Sequence, residues 1–504
     1  MLHFRKNPCT SNGDPTLYKR SSYHQFGLDD FNQPAGFKMN LENRWVRKAE
    51  TIPWAEIEDK YAELFPSNTG MPAKPLRMAL GSLLIQKQLG FSDRELVEEL
   101  RENPYFQYFI GLPGYQDRAP FAPSLLVEFR KRLTDEILGD INEMIIEYNE
   151  PKDPPASGDS SNEQGSDSRN SGTMILDATC APQNIEYPQD INLLNESREN
   201  LEEFIDYICY VYNTEKPRMY RQLARRDYLN LARSKRRSKK KIRTAIRKQL
   251  QYIRRDRGYL ASFLKEGKEL TDKQMARLKV IDKVYEQQKY MYDNDVRSVE
   301  DRIVSISQPY IRPIVRGKAA APVEFGAKFD MSLDSLGMAR IEKLSFDAYN
   351  ENEVLQTAAE NYKRRTGKYP ERILADKIYR NRNNLSYCRE RGIRLSGPAL
   401  GRPPKNQKID RKLEYIDNAD RVAVERAFSL AKRCFGLGRI RTKLDHTTRS
   451  SIALSVIAMN IDRLTDISLA ELGVMDFSRF KWYRSSISCL FIINADRVEI
   501  SAGY

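Results

Sequence analysis

The stretch Thr173–Ile185, TMILDATCAPQNI, decides how this sequence is divided into structural units. A short apolar run over residues 174–176 ends at Asp177 and is followed by small residues. The pattern predicts a buried strand that carries one carboxylate at its end. Taken alone, such an aspartate is most simply a turn or cap residue. A functional role depends on whether other carboxylates of the chain join it.

The length and charge of the chain indicate a multidomain protein with a polyanionic partner. The 504 residues exceed one comfortable hydrophobic core, and 83 Lys and Arg against 69 Asp and Glu leave a net charge of +14. Nucleic acid is the commonest partner of so basic a chain, and a membrane surface is the alternative. The chain has no long apolar run and no apolar segment near residue 1, so we expect no membrane span, no secretory signal and a cytoplasmic location.

Cysteine and histidine offer little for chemistry. The six cysteines are scattered without a Cys-x-x-Cys pair, which argues against a disulfide framework or a zinc module and fits a reducing compartment. The histidines are His3, His24 and His446. If this chain is an enzyme, its catalytic side chains must be carboxylates.

Residues 43–150 are expected to form helices with a helix–turn–helix-like pattern. Ser92 stands at a helix start with Glu95 three residues later, the spacing of a capping box. A later helix, SLLVEFRKRL, carries Arg130 and Lys131 beside its apolar residues. A plain helical bundle with a solvated basic face is the simpler interpretation, and a DNA-binding domain is the functional one.

A polar segment without aliphatic residues separates these helices from the rest and predicts a flexible linker. The predicted organisation is a partly ordered N-terminus (1–42), the helical domain (43–150), the linker (151–172), a further domain (173–464) with a helical insertion at about 191–298, and a C-terminal tail (465–504).

The insertion contains the most basic part of the chain. Between Lys216 and Arg257 stand 18 Lys and Arg against two acids. A charge run is often only a solvated helix face, but so little compensating acid favours a clamp on DNA phosphates. The residues predicted to bind DNA there are Arg233, Lys235, Arg236, Arg237, Lys239, Lys240 and Lys241.

Two further acidic residues are candidates for the same site as Asp177. A second short apolar run, Ile373–Ala375, ends in Asp376, and a predicted helix over Asn418–Gly436 carries Glu425. On that helix Arg421 and Lys432 lie at separations that place them on roughly the same face as Glu425. Arg421 and Glu425 could by themselves be an ordinary surface ion pair.

The order of these parts favours a metal site. Parallel strand ends that neighbour each other in an open sheet place their side chains in one crevice, and a helix packed over it can add Glu425. Three converging carboxylates repel one another unless divalent cations lie between them, and such oxygen ligands suit Mg²⁺ or Mn²⁺. Two such ions can promote phosphodiester cleavage and transfer, with Arg421 and Lys432 holding DNA phosphates.

These motifs resemble those of bacterial insertion-sequence transposases of the DDE class. The resemblance is carried by PAKPLRMALGSLLIQ, ENPYFQYFIGL, SLLVEFRKRL, ILDAT, ILADKIYRNRNN and RVAVERAFSLAKRCFGLGRIRTKL. It implies an α+β multidomain protein, in which an all-helical N-terminal DNA-binding domain precedes an α/β ribonuclease-H-like mixed-sheet domain with a basic helical insertion. It also implies Asp177, Asp376 and Glu425 as the catalytic, metal-binding triad. Asn418 stands where the family has a tyrosine, so no role is carried to that position.

The expected function is therefore DNA transposition. The protein would bind the terminal inverted repeats of its element as double-stranded DNA, cleave the ends and join them to target DNA, as a homodimer associated with the nucleoid. No nucleotide cofactor is expected, because no GxxxxGK[ST] motif occurs. The alternatives are a DNA-binding regulator or inactivated relative without catalysis, and an RNA-binding scaffold, which leaves the aspartates unexplained.

Overall fold

The computed structural model describes residues 27–34, 36–63, 73–150, 170–315, 323–397 and 411–471. Most of the predicted linker, the start of the chain and the predicted C-terminal tail beyond residue 471 lie outside these ranges.

The N-terminal region is helical, as predicted. Ser92 and Glu95 form the predicted capping box: the Ser92 hydroxyl accepts from the Glu95 amide at 3.3 Å, and the Glu95 carboxylate accepts from the Ser92 amide at 2.7 Å. The helix before them ends at Gly90, whose φ of +74° suits glycine. The helices are α1 (Arg44–Glu50), α2 (Trp54–Ala62), α3 (Leu76–Leu89), α4 (Asp93–Glu102), α5 (Pro104–Phe109), α6 (Leu125–Arg132) and α7 (Asp135–Tyr148).

A first strand and a helical bundle follow. The strand is β1 (Thr173–Pro182) and the helices are α8 (Asp190–Val211), α9 (Arg221–Ala232), α10 (Lys239–Lys265) and α11 (Asp272–Asp293). Apolar side chains from α8, α10 and α11, such as Ile205, Ile253 and Ile281, form a hydrophobic cluster of their own. The inserted helices therefore bury their apolar faces mainly against one another.

The remaining chain completes a mixed sheet. Its elements are β2 (Arg312–Val315), β3 (Val323–Leu333), β4 (Ala339–Ser345), α12 (Val354–Thr366), β5 (Arg372–Ala375), α13 (Arg382–Glu390), β6 (Arg394–Leu395), α14 (Arg411–Cys434) and α15 (Asp445–Glu471). The central strand β1 is antiparallel to β3 and parallel to β5; β3 also pairs with β2 and β4, and β5 with β6.

Helices cover both faces of this sheet. Leu176 of β1 belongs to a cluster with residues of α12 and α13, such as Leu355 and Tyr387. Ile175, which points to the opposite face, belongs to a cluster with Val424 and Phe428 of α14. Asp177 alternates with Leu176 in the same way, and so faces α14.

The first strand is longer than predicted. It does not end at Asp177 but continues to Pro182, because β3 pairs with it as far as Gly326. The small residues after Asp177 are buried within the sheet, where Ala178 and Cys180 leave room for close packing. Asp177 therefore lies in the middle of a strand, and the prediction that it ends one is wrong.

The N-terminal helices share a hydrophobic core with the sheet, which the sequence did not predict. The same cluster contains residues of α1 to α7, of the sheet and of α14 and α15. Polar contacts add to it: Lys48 donates to Asp462 at 2.6 Å, and Asn460 donates to Asn142 at 2.8 Å. Helix α15 thus joins the two regions.

Candidate active site

The pairing of β1 with β5 brings the two aspartates to the same level of the sheet. Leu176 is the register partner of Ala375, and each is followed directly by an aspartate. Asp376 ends β5 and caps the 3₁₀ turn that follows, accepting from the Lys377 amide at 2.7 Å. The prediction that a strand ends at Asp376 is therefore confirmed.

The surroundings of Asp177 disfavour its anion. Burial raises the pKa of its carboxyl to about 6. This value includes the negative charges of Glu351 and Asp376, which act in the same direction as burial, and a 2.9 Å hydrogen bond from the Ala178 amide and the charge of Arg421, which oppose it. A half-buried carboxyl beside two others is an environment in which a cation would be favoured.

Helix α14 is fixed alongside β1 and β5 by ion pairs at its beginning. Arg372 of β5 donates to Asp417 at 3.2 Å and to Asp420 at 2.7 Å, and Arg394 of β6 donates to Asp417 at 2.8 Å. Further along the helix, the ring of Phe428 meets that of Phe329 edge to face, with 6.0 Å between centroids. These contacts determine which residues of α14 face β1.

The predicted residues of α14 lie along this contact. Arg421 is near enough for its charge to lower the pKa of Asp177, and its Nη1 lies 3.3 Å from Oε1 of Glu425. Lys432 Nζ donates to the Thr179 hydroxyl at 2.9 Å, two residues beyond Asp177 on the same face of β1.

The three predicted ligands are not gathered into a formed metal site. The side chain of Glu425 is 52% exposed and pairs with Arg421. Across the described ranges, no three carboxylate, histidine or cysteine side chains are arranged to hold a metal ion. The structure brings Asp177, Asp376 and Arg421 into electrostatic contact and leaves Glu425 at the edge of that group.

A buried polar cluster behind the aspartates was missed from the sequence. Asp330 of β3, the register partner of Ala178, is fully buried and accepts from the hydroxyls of Tyr349 and Tyr379. Burial raises the pKa of Asp330, against the effect of these two hydrogen bonds. Tyr379 ends the turn that Asp376 caps, so this bond fixes the backbone just after Asp376. The sequence did offer one sign of this cluster, because Asp330 occupies a position of the predicted strand where an apolar residue is expected.

A second carboxylate of that region was also missed. Glu351 pairs with Lys328 of β3 at 2.8 Å, and its charge raises the pKa values of Asp177 and Asp330. It precedes α12 in a 3₁₀ turn, where the sequence shows only an acid near a helix start.

The basic residues predicted to bind DNA occupy different environments. Arg130 is turned inward, donating to Asp93 at 3.0 Å and to Gln86 at 2.7 Å, whereas Lys131 is exposed and pairs with Glu128 at 2.8 Å. The seven predicted residues of the insertion lie in the α9–α10 connection and at the start of α10. All seven are exposed: Arg233, Lys235, Arg236, Arg237, Lys239, Lys240 and Lys241.

Within the described part of the chain, no helix is both long and apolar enough to cross a membrane.

Two family models match the chain. One, described as a transposase DDE domain, matches residues 373–462, from β5 into α15; the other, described as a transposase domain (DUF772), matches residues 37–132. A protein of Rhizobium meliloti described as uncharacterized protein ORF8 in the nfe locus is 31% identical over 109 residues, which cover 22% of this chain and 52% of that protein. No solved structure gives a significant match. Both family matches are to transposase domains, and they confirm the resemblance of this chain to transposases of the DDE class.

Proposed function

We propose that this chain is a DNA transposase that binds the terminal inverted repeats of its element, cleaves the ends and transfers the strands to target DNA. Asp177, Asp376 and Glu425 are the proposed catalytic residues. The observation that carries the proposal is the register of β1 and β5, which sets Asp177 beside Asp376 under the helix that bears Glu425.

The sheet supports a ribonuclease-H-like catalytic domain. Three neighbouring antiparallel strands, β4, β3 and β1, continue into the parallel strands β5 and β6. Such a mixed sheet is compatible with the proposed domain, in which the helical bundle is inserted between β1 and β3. The parallel pairing of β1 with β5 ends at Leu176 and Ala375, directly before two of the proposed carboxylates.

The residues present fit a divalent cation. Their ligand atoms are carboxylate oxygens, which suit Mg²⁺ or Mn²⁺, and the neighbouring charges of Asp376 and Glu351 disfavour a bare Asp177 anion. Asp177, Asp376 and Glu425 would hold two such ions. When bound, the ions would activate a water or a 3′-hydroxyl and stabilise the leaving oxygen. An exposed pair such as Arg421–Glu425 contributes only about 0.2–1 kcal/mol, so Glu425 can exchange Arg421 for a cation at small cost.

The basic side chains bind and orient the DNA. Arg421 and Lys432 flank the carboxylates along α14 and hold phosphates next to the reacting bond. The exposed basic residues of the α9–α10 connection hold the backbone of the duplex without reading its sequence. The N-terminal helices, including exposed Lys131, recognise the element ends. Two ends must be held together during the reaction, so we propose a homodimer on DNA that acts in the bacterial nucleoid.

The carboxylate triad is tested with isosteric variants. Asp177→Asn, Asp376→Asn and Glu425→Gln should each abolish Mg²⁺-dependent cleavage of end DNA and leave DNA binding intact, because each removes a ligand charge without changing shape. The matched control is Glu390→Gln, which removes an exposed carboxylate from α13 on the other face of the sheet.

Retained cleavage in one of the three variants would remove that residue from the triad. If the unaltered protein binds end DNA but never cleaves it with Mg²⁺ or Mn²⁺, the protein is a DNA-binding regulator and the proposal fails.

A further inference from the structure

A cavity of about 700 Å³ lies between the N-terminal helices and the end of α14. Side chains of α3, α4 and α6 form one wall, and residues 432–442 with the first half of α15 form the other. Its basic lining residues are Lys87, Arg130, Lys432, Arg439 and Arg441.

The charge inside this cavity is strongly unbalanced. Asp93 is the one acid among its lining residues, and it already accepts from Arg130 at 3.0 Å and from Gln86 at 2.8 Å. Arg439 donates to the neutral amide oxygen of Asn184 at 2.8 Å, and Arg441 is exposed. The cavity thus has positive charge left over for an anion.

Lys87 is one of the basic residues that line this cavity. Its ammonium donates to the hydroxyl of Ser451 on α15. Burial lowers the pKa of Lys87 to about 7, and the positive charges of Arg130 and Arg441 add to the effect. Asp93 accepts from Arg130, and the charge of Arg441 also acts on the Glu95 carboxylate, but among the described residues no carboxylate charge raises the pKa of Lys87. An anion in the cavity would therefore supply the charge that this lysine lacks.

The cavity leads to the carboxylates. Lys432 lines it and at the same time donates to Thr179 at 2.9 Å. Thr179 is two residues beyond Asp177 on β1, a separation of roughly 7 Å along a strand. A sugar–phosphate backbone that occupies the cavity would therefore reach the proposed active site, because the distance from Thr179 to Asp177 is comparable to the spacing of neighbouring phosphates along one strand.

We propose that this cavity binds the sugar–phosphate backbone of a single DNA strand next to the bond that is cut. The proposal rests on the proposed function and deepens it, since it makes Lys87, Arg439 and Arg441 part of the substrate site. A cavity of this volume is the size of a small-molecule pocket and admits a short piece of one strand; a duplex, whose major groove alone is about 12 Å wide, does not fit. Under this proposal the N-terminal helices α3, α4 and α6 contact the reacting strand directly, because they form one wall of the cavity.

The test is the salt dependence of binding to a fluorescein-labelled single-stranded oligonucleotide of mixed sequence, measured by anisotropy on the full chain. Each phosphate partner that a substitution removes should reduce the slope of log affinity against log salt by about 0.7. By the same relation, we expect a reduction of about 0.7 for Arg441→Gln and about 1.4 for Lys87→Met combined with Arg441→Gln. Arg441 is exposed, so its single variant tests the proposal even if the double variant folds poorly.

The matched control is Arg389→Gln, which removes an exposed arginine from α13 on the other face of the sheet and should leave the slope unchanged. A slope for Arg441→Gln equal to that of the unaltered protein overturns the proposal, as does an equal reduction in the control. The cleavage assay separates the two ideas. If the unaltered protein never cleaves end DNA with Mg²⁺ or Mn²⁺, the proposed function fails whatever the slope. If cleavage occurs and only the slope is unchanged, the cavity proposal fails alone.

Discussion

Replacing Lys87 by Met should stabilise the protein at neutral pH. Its pKa falls from 10.5 to about 7 on folding. At about 1.36 kcal/mol for each pKa unit, this shift corresponds to a penalty of at most about 5 kcal/mol for keeping the charge in the cavity. The side chain is only partly buried, so solvent screens it, and we expect a gain of about 1–3 kcal/mol in the free energy of unfolding.

The pH dependence gives this prediction its sign. The unfolded lysine keeps its proton up to about pH 10.5, whereas the folded one loses it above about pH 7. Between these values the unfolded state binds more protons, so the stability of the unaltered protein rises with pH across this window. The gain from Lys87→Met is therefore complete below pH 7 and disappears as pH approaches 10.5.

The assay is urea unfolding at about pH 6 and at about pH 9.5, followed by tryptophan fluorescence. Lys48→Met is the control, because Lys48 also contacts α15 and is more deeply buried than Lys87, but it has a carboxylate partner in Asp462 at 2.6 Å. It should destabilise the protein by leaving Asp462 without its cation. A decrease in stability for Lys87→Met at about pH 6, or an equal gain at both pH values, would refute the reasoning.

Two further predictions concern the insertion and the attachment of α14. Neutralising four exposed basic residues of the insertion, Lys235, Arg236, Lys240 and Lys241, should weaken the salt dependence of duplex binding. The slope of log affinity against log salt should fall by roughly 3–4, because each phosphate contact contributes about 0.9. An unchanged slope would exclude the proposal that these residues hold DNA phosphates. Asp417→Ala should cost about 2–3 kcal/mol in urea unfolding and reduce cleavage, because it leaves Arg372 and Arg394 without their shared carboxylate. Burial alone would raise the pKa of Asp417, but these two arginines lower it. The stabilisation by Asp417 is therefore present above about pH 4 and is lost at lower pH. A loss of stability in Asp417→Ala that does not change with pH would contradict this.

Local sequence patterns predicted the parts of the site that depend on local structure. Asp376 follows a short apolar run that ends in a turn, and the helix with Arg421 and Glu425 has a clear apolar face. Both features are decided within a few residues of chain, by periodicity and by capping.

The parts that sequence did not predict depend on distant partners. The strand continues past Asp177 because β3, far along the chain, pairs with it, and a run of small residues carries no sign of that partner. The cluster of Asp330 with two tyrosines and the cavity around Lys87 each combine residues from several elements. An apolar helix face indicates that it will be covered but not by what, so the core shared through α15 could not be foreseen.

The inserted bundle has a consequence for the order of folding. The central pair of the sheet, β1 and β3, is joined through residues 183–325, so its first contacts close a long loop. Loop closure is slower and less favourable for distant contacts, although each doubling of length adds only about 0.6 kcal/mol. Helices α8, α10 and α11 have their own hydrophobic cluster, so the bundle can form first and bring Pro182 and Gly326 near each other. We expect the bundle to be protected from hydrogen exchange before the central strands during refolding, with the proposed active site among the last parts to assemble.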